Sequence, residues 1–208
     1  MTVGKFITLE GVEGVGKTTN LNYIANFFIN NGIDVVTTRE PGGTAIAETI
    51  RQILLDHHEE RLCDEAELLL MFAARAQHLE HVIKPALAAG KYVICDRFTD
   101  ATYAYQGGGR HFPIQRIAWL EAFVQKGLTP DVTILLDLPV AEGLKRAANR
   151  SEPDRFESEH QAFFENVRDA YLRRASEDSE RFKIIDAADS IAGVEAQIRV
   201  HLNAILNG

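Results

Sequence analysis

Cysteine is scarce: Cys63 and Cys95 are the only two in 208 residues. Two thiols make no disulfide framework, so a reduced, cytoplasmic compartment is expected. Long apolar runs are missing too. None reaches the ~18 residues of a membrane span, so no membrane partner is expected. The stretch Met1-Thr2-Val3-Gly4-Lys5-Phe6 carries no apolar signal region, and Thr2 stands where N-myristoylation needs glycine. Excess positive charge is absent: 22 Lys and Arg against 30 Asp and Glu give a net charge of −8. General nucleic-acid binders are more often basic, so no nucleic-acid partner is expected. Repeats, low-complexity tracts and linkers are also lacking.

What remains is ordinary globular material, 46% hydrophobic and 25% charged. The length suits a single domain over residues 1–208 that buries roughly 70% of its unfolded surface. An acidic chain that holds phosphates must gather its cations locally, so the positions of the arginines matter.

Gly11-Val12-Glu13-Gly14-Val15-Gly16-Lys17-Thr18-Thr19 fits G-x-x-x-x-G-K-[ST], the P-loop pattern. Phe6–Leu9 before it reads as a strand, and Thr18–Ile29 after it as a helix. The first N–H groups of a helix lack intrahelical partners and sit at the positive end of its dipole. Glycines let the preceding loop wrap an anion. Lys17 would reach the β- and γ-phosphates, and the Thr18 hydroxyl would ligate Mg²⁺.

Further runs alternate between strand and helix. Ile33–Thr38, Tyr92–Cys95, Val132–Leu136 and Phe182–Ile185 read as strands. Helices are expected at 45–55, from the capping box Asp64-Glu65-Ala66-Glu67 to Gly90 with a kink at Pro85, at 101–105 until Gly107-Gly108-Gly109 stops it, and at 114–125, 140–148, 159–176 and 191–205. Five nearly continuous apolar strands predict an α/β fold, a parallel sheet covered by helices on both faces in three α/β/α layers. Ligands then sit at the strands' carboxyl ends.

Several residues carry chemistry there. Asp96 ends an apolar strand, as a Mg²⁺-binding acid would. Asp137 also ends a strand, but a turn-capping role is the simpler reading. Arg39 and Arg97 leave strand ends beside the loop, where guanidinium forks could clamp phosphates. Arg146, Arg150 and Arg155 surround a polar loop at about 146–157. It is either a lid that excludes water or a solvated charged loop, and spacing does not decide between them. Phe72 and Arg75 share a helix face. They could meet a base, although an apolar-stripe phenylalanine is more often core. His78 and His81 read as a wet helix face, and Cys95 as a small buried residue. No D-x-x-G or N-K-x-D motif accompanies the P-loop, which argues against a GTPase switch. A pure ATP-binding module would not need the extra arginines. A small kinase acting on a second nucleotide fits better.

Together these stretches carry a resemblance. The P-loop, Thr38-Arg39-Glu40-Pro41-Gly42-Gly43-Thr44, Leu70-Met71-Phe72-Ala73-Ala74-Arg75, Asp96-Arg97-Phe98 and Ala104–Arg110 are similar to the bacterial thymidylate kinases, along the full chain. The resemblance implies a P-loop kinase fold, transfer from MgATP to dTMP, and a homodimer packed through helices. It also implies roles. Gly11–Thr19 with Arg146 and Arg150 would bind ATP. Lys17, Asp96, Arg97 and Arg155 would be catalytic, with Thr18 and Asp96 on the metal. Glu13 would hold the sugar 3′-hydroxyl, and Arg39 and Arg97 the dTMP phosphate. Phe72 would stack on thymine, Arg75 would reach its O4, and Thr102 and Gln106 would line the base pocket. Tyr105 would fill the space of a ribose 2′-hydroxyl. The loop lacks an arginine of its own, so the lid would supply the transition-state cation through Arg155. Phe98 and Pro153 depart from the family's common residues.

Overall fold

The computed structural model describes residues 4–60, 62–148 and 154–207. Five strands form one parallel sheet: β1 (Phe6–Glu10), β2 (Val35–Arg39), β3 (Tyr92–Asp96), β4 (Val132–Asp137) and β5 (Phe182–Asp186), in the order β2-β3-β1-β4-β5. The expected α/β sheet is present, and strand bounds shift by one or two residues. β1 lies in the middle, with Leu9 beside Asp96 on one side and Ile134 on the other. The loop after β1 therefore leaves the centre of the sheet, where strand order reverses.

Both faces are covered because alternate strand residues point opposite ways. Phe6, Val93 and Cys95 pack with Leu79, Ile83 and Phe98. Ile7, Leu9 and Ile94 join the larger cluster with Ile24 and Phe28 of helix α1 (Lys17–Asn30). Each such large apolar side chain contributes about 1.5–3 kcal/mol when fully buried. Asn31 ends α1 by donating its side-chain amide to the Phe27 carbonyl at 2.8 Å, and Gly32 comes next at φ 77°.

Helix α2 (Ala45–Leu55) has the expected bounds, and Thr44 caps it by accepting from the Ala47 amide at 3.1 Å. Helix α3 (Asp64–His78) departs from expectation. Cys63 occupies the N-cap position and makes no side-chain cap bond. The expected partner of a capping box, Glu67, is turned into the interior instead. A π-helical turn (Leu79–Ile83) then leads into α4 (Lys84–Ala88), whose first turn holds Pro85. The π turn supplies the irregularity that a proline without an N–H requires.

The glycine triplet does not stop its helix. Helix α5 (Thr99–Thr102) continues as a seven-residue π-helical segment, Tyr103–Gly109. A Cβ on Gly108 would lie 2.7 Å from Ala170 Cβ and the Asn166 carbonyl. The glycine serves close approach to helix α8 (Gln161–Glu177), where the sequence suggested a breaker. Helices α6 (Ile114–Gln125), α7 (Val140–Ala147) and α9 (Ile191–Asn207) complete the described residues. No helix among these residues is long and apolar enough to cross a membrane.

Candidate active site

The P-loop connects the end of β1 to α1. Gly16 caps α1 at φ 90° with no side-chain cap bond, so no side chain occupies the helix N-terminus. Gly14 sits at φ 75°, and a Cβ there would lie 1.9 Å from the Gly143 carbonyl oxygen of α7. Loop and helix meet backbone to backbone. The Lys17 ammonium donates to the Gly11 carbonyl at 3.2 Å and the Val12 carbonyl at 2.9 Å. Burial, then the Arg97 charge, lower the Lys17 pKa against the pull of Glu13. The side chains of Val12 and Val15 enter the core, while Thr19 is exposed. Glu13, Gly14, Gly16, Lys17 and Thr18 line a cleft that continues past Asp96 and Arg97 to Arg75, Thr102, Tyr105 and Gln106.

Arg97 and Glu13 form the centre of that cleft. The Arg97 fork donates to Glu13 Oε1 at 2.6 Å, the Gly11 carbonyl at 3.1 Å, and the Tyr105 and Tyr171 hydroxyls at 2.8 and 3.2 Å. Its guanidinium also stands 4.6 Å from the Tyr105 ring centroid. Burial opposes the Arg97 charge, but Tyr105 and Glu13 hold its pKa well above the usual arginine value. Burial likewise opposes ionisation of Glu13, yet Arg97, Lys17 and Tyr105 bring its pKa down to about 2. Glu13 is therefore an acceptor-only carboxylate at neutral pH.

The far end of the cleft carries unused hydrogen-bonding capacity. Arg75, 2% exposed, gives Nε to Glu40 at 2.7 Å and Nη2 to Thr102 at 3.0 Å. Its buried Nη1 has no partner, nor does Gln106 Oε1. Buried polar atoms are normally satisfied, so these two mark a place for a polar ligand. Asp96 Oδ1 is a third such atom. The Thr18 hydroxyl and Asp96 offer the oxygen ligands that a hard cation such as Mg²⁺ takes. No group of three or more His, Cys, Asp or Glu could hold a metal among the described residues. An ion here would complete its shell with phosphate and water.

Other expected residues lie elsewhere. Arg39 is exposed and bound to Glu48 at 2.9 Å, outside the cleft lining. Arg51 of α2 lines the cleft instead, held by the Pro41 carbonyl at 2.9 Å. A lone arginine on a helix gave no signal of this. Phe72 is 2% exposed and packs with Leu68, Tyr103, Phe112 and Ile117, so it is core, with the Arg75 guanidinium 4.9 Å from its ring centroid. Arg146 bonds the Ala187 carbonyl at 3.1 Å and pairs with Glu142. Arg150 and Pro153 lie outside the described residues. Arg155 does not point into the cleft. Its Nε donates to the Leu54 carbonyl at 2.8 Å, and its Nη2 stands 2.7 Å from Glu67 Oε2, an ion pair by distance that is not aligned as a hydrogen bond. Asp137 grips Arg168 through both oxygens at 2.7 and 2.8 Å, a structural pair. His78 is fully buried between Glu40 and Thr38, at 2.9 and 2.6 Å, and is no wet face. His81 is exposed.

Sequence reasoning also passed over Glu10. This carboxylate is fully buried at the end of β1. It accepts from the Phe98 amide and the Tyr171 hydroxyl, both at 2.7 Å. Tyr171 in turn accepts from Arg97, so Glu10 braces the arginine through one intermediary. Burial and the Asp100 charge push the Glu10 pKa from 4.5 up to about 8. A raised folded-state pKa means that its stabilising effect is full below about pH 4.5 and is lost as pH rises through about 8. Glu10→Gln should therefore flatten the stability decline between pH 5 and 8, by up to about 1.4 kcal/mol per pH unit. Urea unfolding at both pH values checks this. An unchanged slope would remove Glu10 from that role.

A P-loop on the central strand, at one end of a cleft that Arg51, Arg75 and Arg97 also line, defines a P-loop nucleotide kinase. The chain matches the thymidylate kinase family model over residues 9–198. It is 59% identical to a thymidylate kinase of Pseudomonas entomophila, over 98% of this chain and 97% of that one. It is 58% identical to a thymidylate kinase of Chromohalobacter salexigens, over 97% and 96% of the two chains. A solved thymidylate kinase from Ehrlichia chaffeensis superposes with a TM-score of 0.76 at 33% identity, covering 96% of this chain and 98% of that one. The chain belongs to the thymidylate kinase family.

Proposed function

We propose that the protein transfers the γ-phosphoryl group of ATP to dTMP, yielding ADP and dTDP. The observation that carries this reading is that the P-loop's cleft is also lined by Arg75 and Gln106, whose buried Nη1 and Oε1 have no partner. In this reading ATP lies on residues 11–19 and dTMP at the Arg75 and Gln106 end of the cleft. Lys17 and the loop amides hold the donor phosphates. The Arg97 fork meets the acceptor phosphate, with Arg51 beside it. Glu13 accepts from a sugar hydroxyl. Tyr105, pinned against Glu13 at 2.9 Å, closes the sugar end.

The acceptor is already an anionic phosphate oxygen, so the protein needs no strong general base. Its work is to align two nucleotides in line and to neutralise charge in a site that excludes water. Thr18 and Asp96 would hold Mg²⁺, which would supply charge neutralisation on the donor phosphates. With Arg155 engaged on Glu67, Lys17 and Arg97 carry the transition-state charge among the described residues. The chain then works as one kinase domain, and residues 149–153 of its expected lid at about 146–157 lie outside the described residues. Two unpaired cysteines, one exposed and one buried, suit a reduced cytoplasm.

Incubation with ATP and dTMP, dUMP, dCMP, dGMP or no acceptor, following ADP release, tests the assignment. ADP should form fastest with dTMP and cease on adding a Mg²⁺ chelator. ADP release that needs no acceptor would overturn the kinase reading.

A homodimer completes the proposal. Trp119 and Phe123 of α6 are each 66% exposed and stack at 5.6 Å. Ile46 of α2 and Leu69 of α3 are likewise exposed, and Phe123 borders a shallow groove with Ile46 and Ile50. Exposed apolar faces of this kind mark interfaces. Sedimentation should show a dimer at micromolar concentration and a monomer for Trp119→Glu with Phe123→Lys. A monomeric wild type would end the dimer assignment.

A further inference from the structure

The unpartnered atoms at the base end of the cleft are one donor and one acceptor, and their identities are set by the residues behind them. Arg75 can only donate, so Nη1 is a donor. Gln106 could present either its NH₂ or its carbonyl oxygen, because an amide can turn over. What decides is Glu67, a carboxylate 1% exposed on α3. Its Oε1 lies 2.8 Å from Gln106 Nε2 and 3.4 Å from Arg110 Nε, and its Oε2 pairs with Arg155 at 2.7 Å. A carboxylate facing two guanidinium groups accepts and does not donate. It therefore takes the NH₂ of Gln106 and leaves the carbonyl oxygen buried and unpartnered on a residue that lines the cleft. Reversing the amide would set two acceptors against each other in a buried place, which is costly.

We propose that Glu67 is a specificity-determining positioning residue, which fixes the Gln106 amide so that the pocket shows a donor (Arg75 Nη1) beside an acceptor (Gln106 Oε1). This rests on the dTMP kinase reading above. A keto pyrimidine shows the complementary pair, O4 accepting and N3–H donating. Cytosine shows the opposite pair, N4–H₂ donating and N3 accepting. A site built to use a substrate's hydrogen bonds rejects the analogue that leaves its own groups unpaired, by far more than apolar fit alone achieves. The same carboxylate holds Arg155, so residue 155 and the Gln106 amide share one anchor.

The test compares kcat/KM for dTMP, dUMP and dCMP. Glu67→Gln gives residue 67 a carboxamide that can face the Gln106 amide either way up. The dTMP-to-dCMP ratio should fall at least tenfold. The dTMP-to-dUMP ratio should stay put, because both bases share the keto edge. Gln106→Met removes both amide groups and should lower the same ratio. Adding Glu67→Gln to Gln106→Met should then change the ratio no further. A merely structural role for Glu67 would lower all three activities together, and a folded Glu67→Gln with its dCMP discrimination intact overturns the proposal. If Glu67→Gln does not fold, ¹⁵N spectra of the wild type decide, with the Gln106 amide signals assigned by their loss in Gln106→Met. Slow exchange of those protons with and without dTMP supports the proposal, and fast exchange in the free protein overturns it. Wild-type protein inactive on dTMP would instead remove the kinase reading itself.

Discussion

Arg97→Ala is expected to lower kcat for dTMP by about a thousandfold or more, with KM rising less steeply. Guanidinium groups that meet the transferring phosphoryl group act on the transition state above all, and their removal brings losses of this size. Here the arginine also organises its surroundings. It is the partner that keeps Glu13 ionised, and it joins the P-loop through the Gly11 carbonyl to Tyr105 and Tyr171. Without it Glu13 remains a buried carboxylate with one cation fewer, and its pKa climbs from about 2. Arg97→Lys keeps a charge but loses the fork, so it should recover only a small part of the rate. Single-turnover rates would separate chemistry from binding. A kcat within tenfold of wild type for Arg97→Ala would show that the arginine is not part of the phosphoryl clamp.

Gly14→Ala is the second large effect. At φ 75° any side chain is strained, by about 1–2 kcal/mol. The methyl would also lie 1.9 Å from the Gly143 carbonyl oxygen, a contact that only movement of the loop or α7 relieves. Gly143 is itself constrained, since a Cβ there would come within 2.5 Å of the Glu13 carbonyl. The expected outcome is a destabilisation above about 3 kcal/mol and a rise in KM for ATP of at least a hundredfold. For a chain of this size that corresponds to a Tm about 6–12 °C lower. Gly32→Ala provides the comparison. It has a similar φ of 77° but nothing within 4 Å, so only the conformational strain should appear. Equal Tm shifts for the two variants would mean that the loop-to-helix contact is unimportant.

The strands, the order of elements and the P-loop are open to view in the chain. Their signals are local: an apolar run, turn residues between the runs, glycines at fixed spacing. The sequence pattern places β4 and β5 within one residue and α2 within none. The cleft's main cation, Arg97, is also visible, because it directly follows an apolar strand. What escapes is the partnership of buried polar groups. Nothing near Glu67 in sequence announces that Gln106 and Arg155 will close on it, 39 and 88 positions away. The same holds for His78, which meets Glu40 across 38 positions, and for Glu10, which meets Tyr171 across 161. Arg155 is expected in the cleft through the family resemblance alone, and spacing cannot say which way such a side chain turns. Arg51 is missed for the converse reason. One arginine on a helix looks like a solvated residue until the fold brings Pro41 and the cleft beside it.

The π-helical segment at Tyr103–Gly109 has a consequence for how this chain can vary in length. A π turn behaves as an α turn with one residue inserted. Loss of a single glycine there would let the segment relax to ordinary helix and rotate the downstream residues by about 100° relative to the upstream ones. Tyr105 and Gln106 lie before the triplet and keep Glu13 and Glu67, while Arg110, just beyond it, would swing off Glu67 and Glu159. Substitution at these glycines is a local matter of fit against Ala170 or Phe163, whereas a one-residue deletion would change the register between the pocket residues before the triplet and every residue after it.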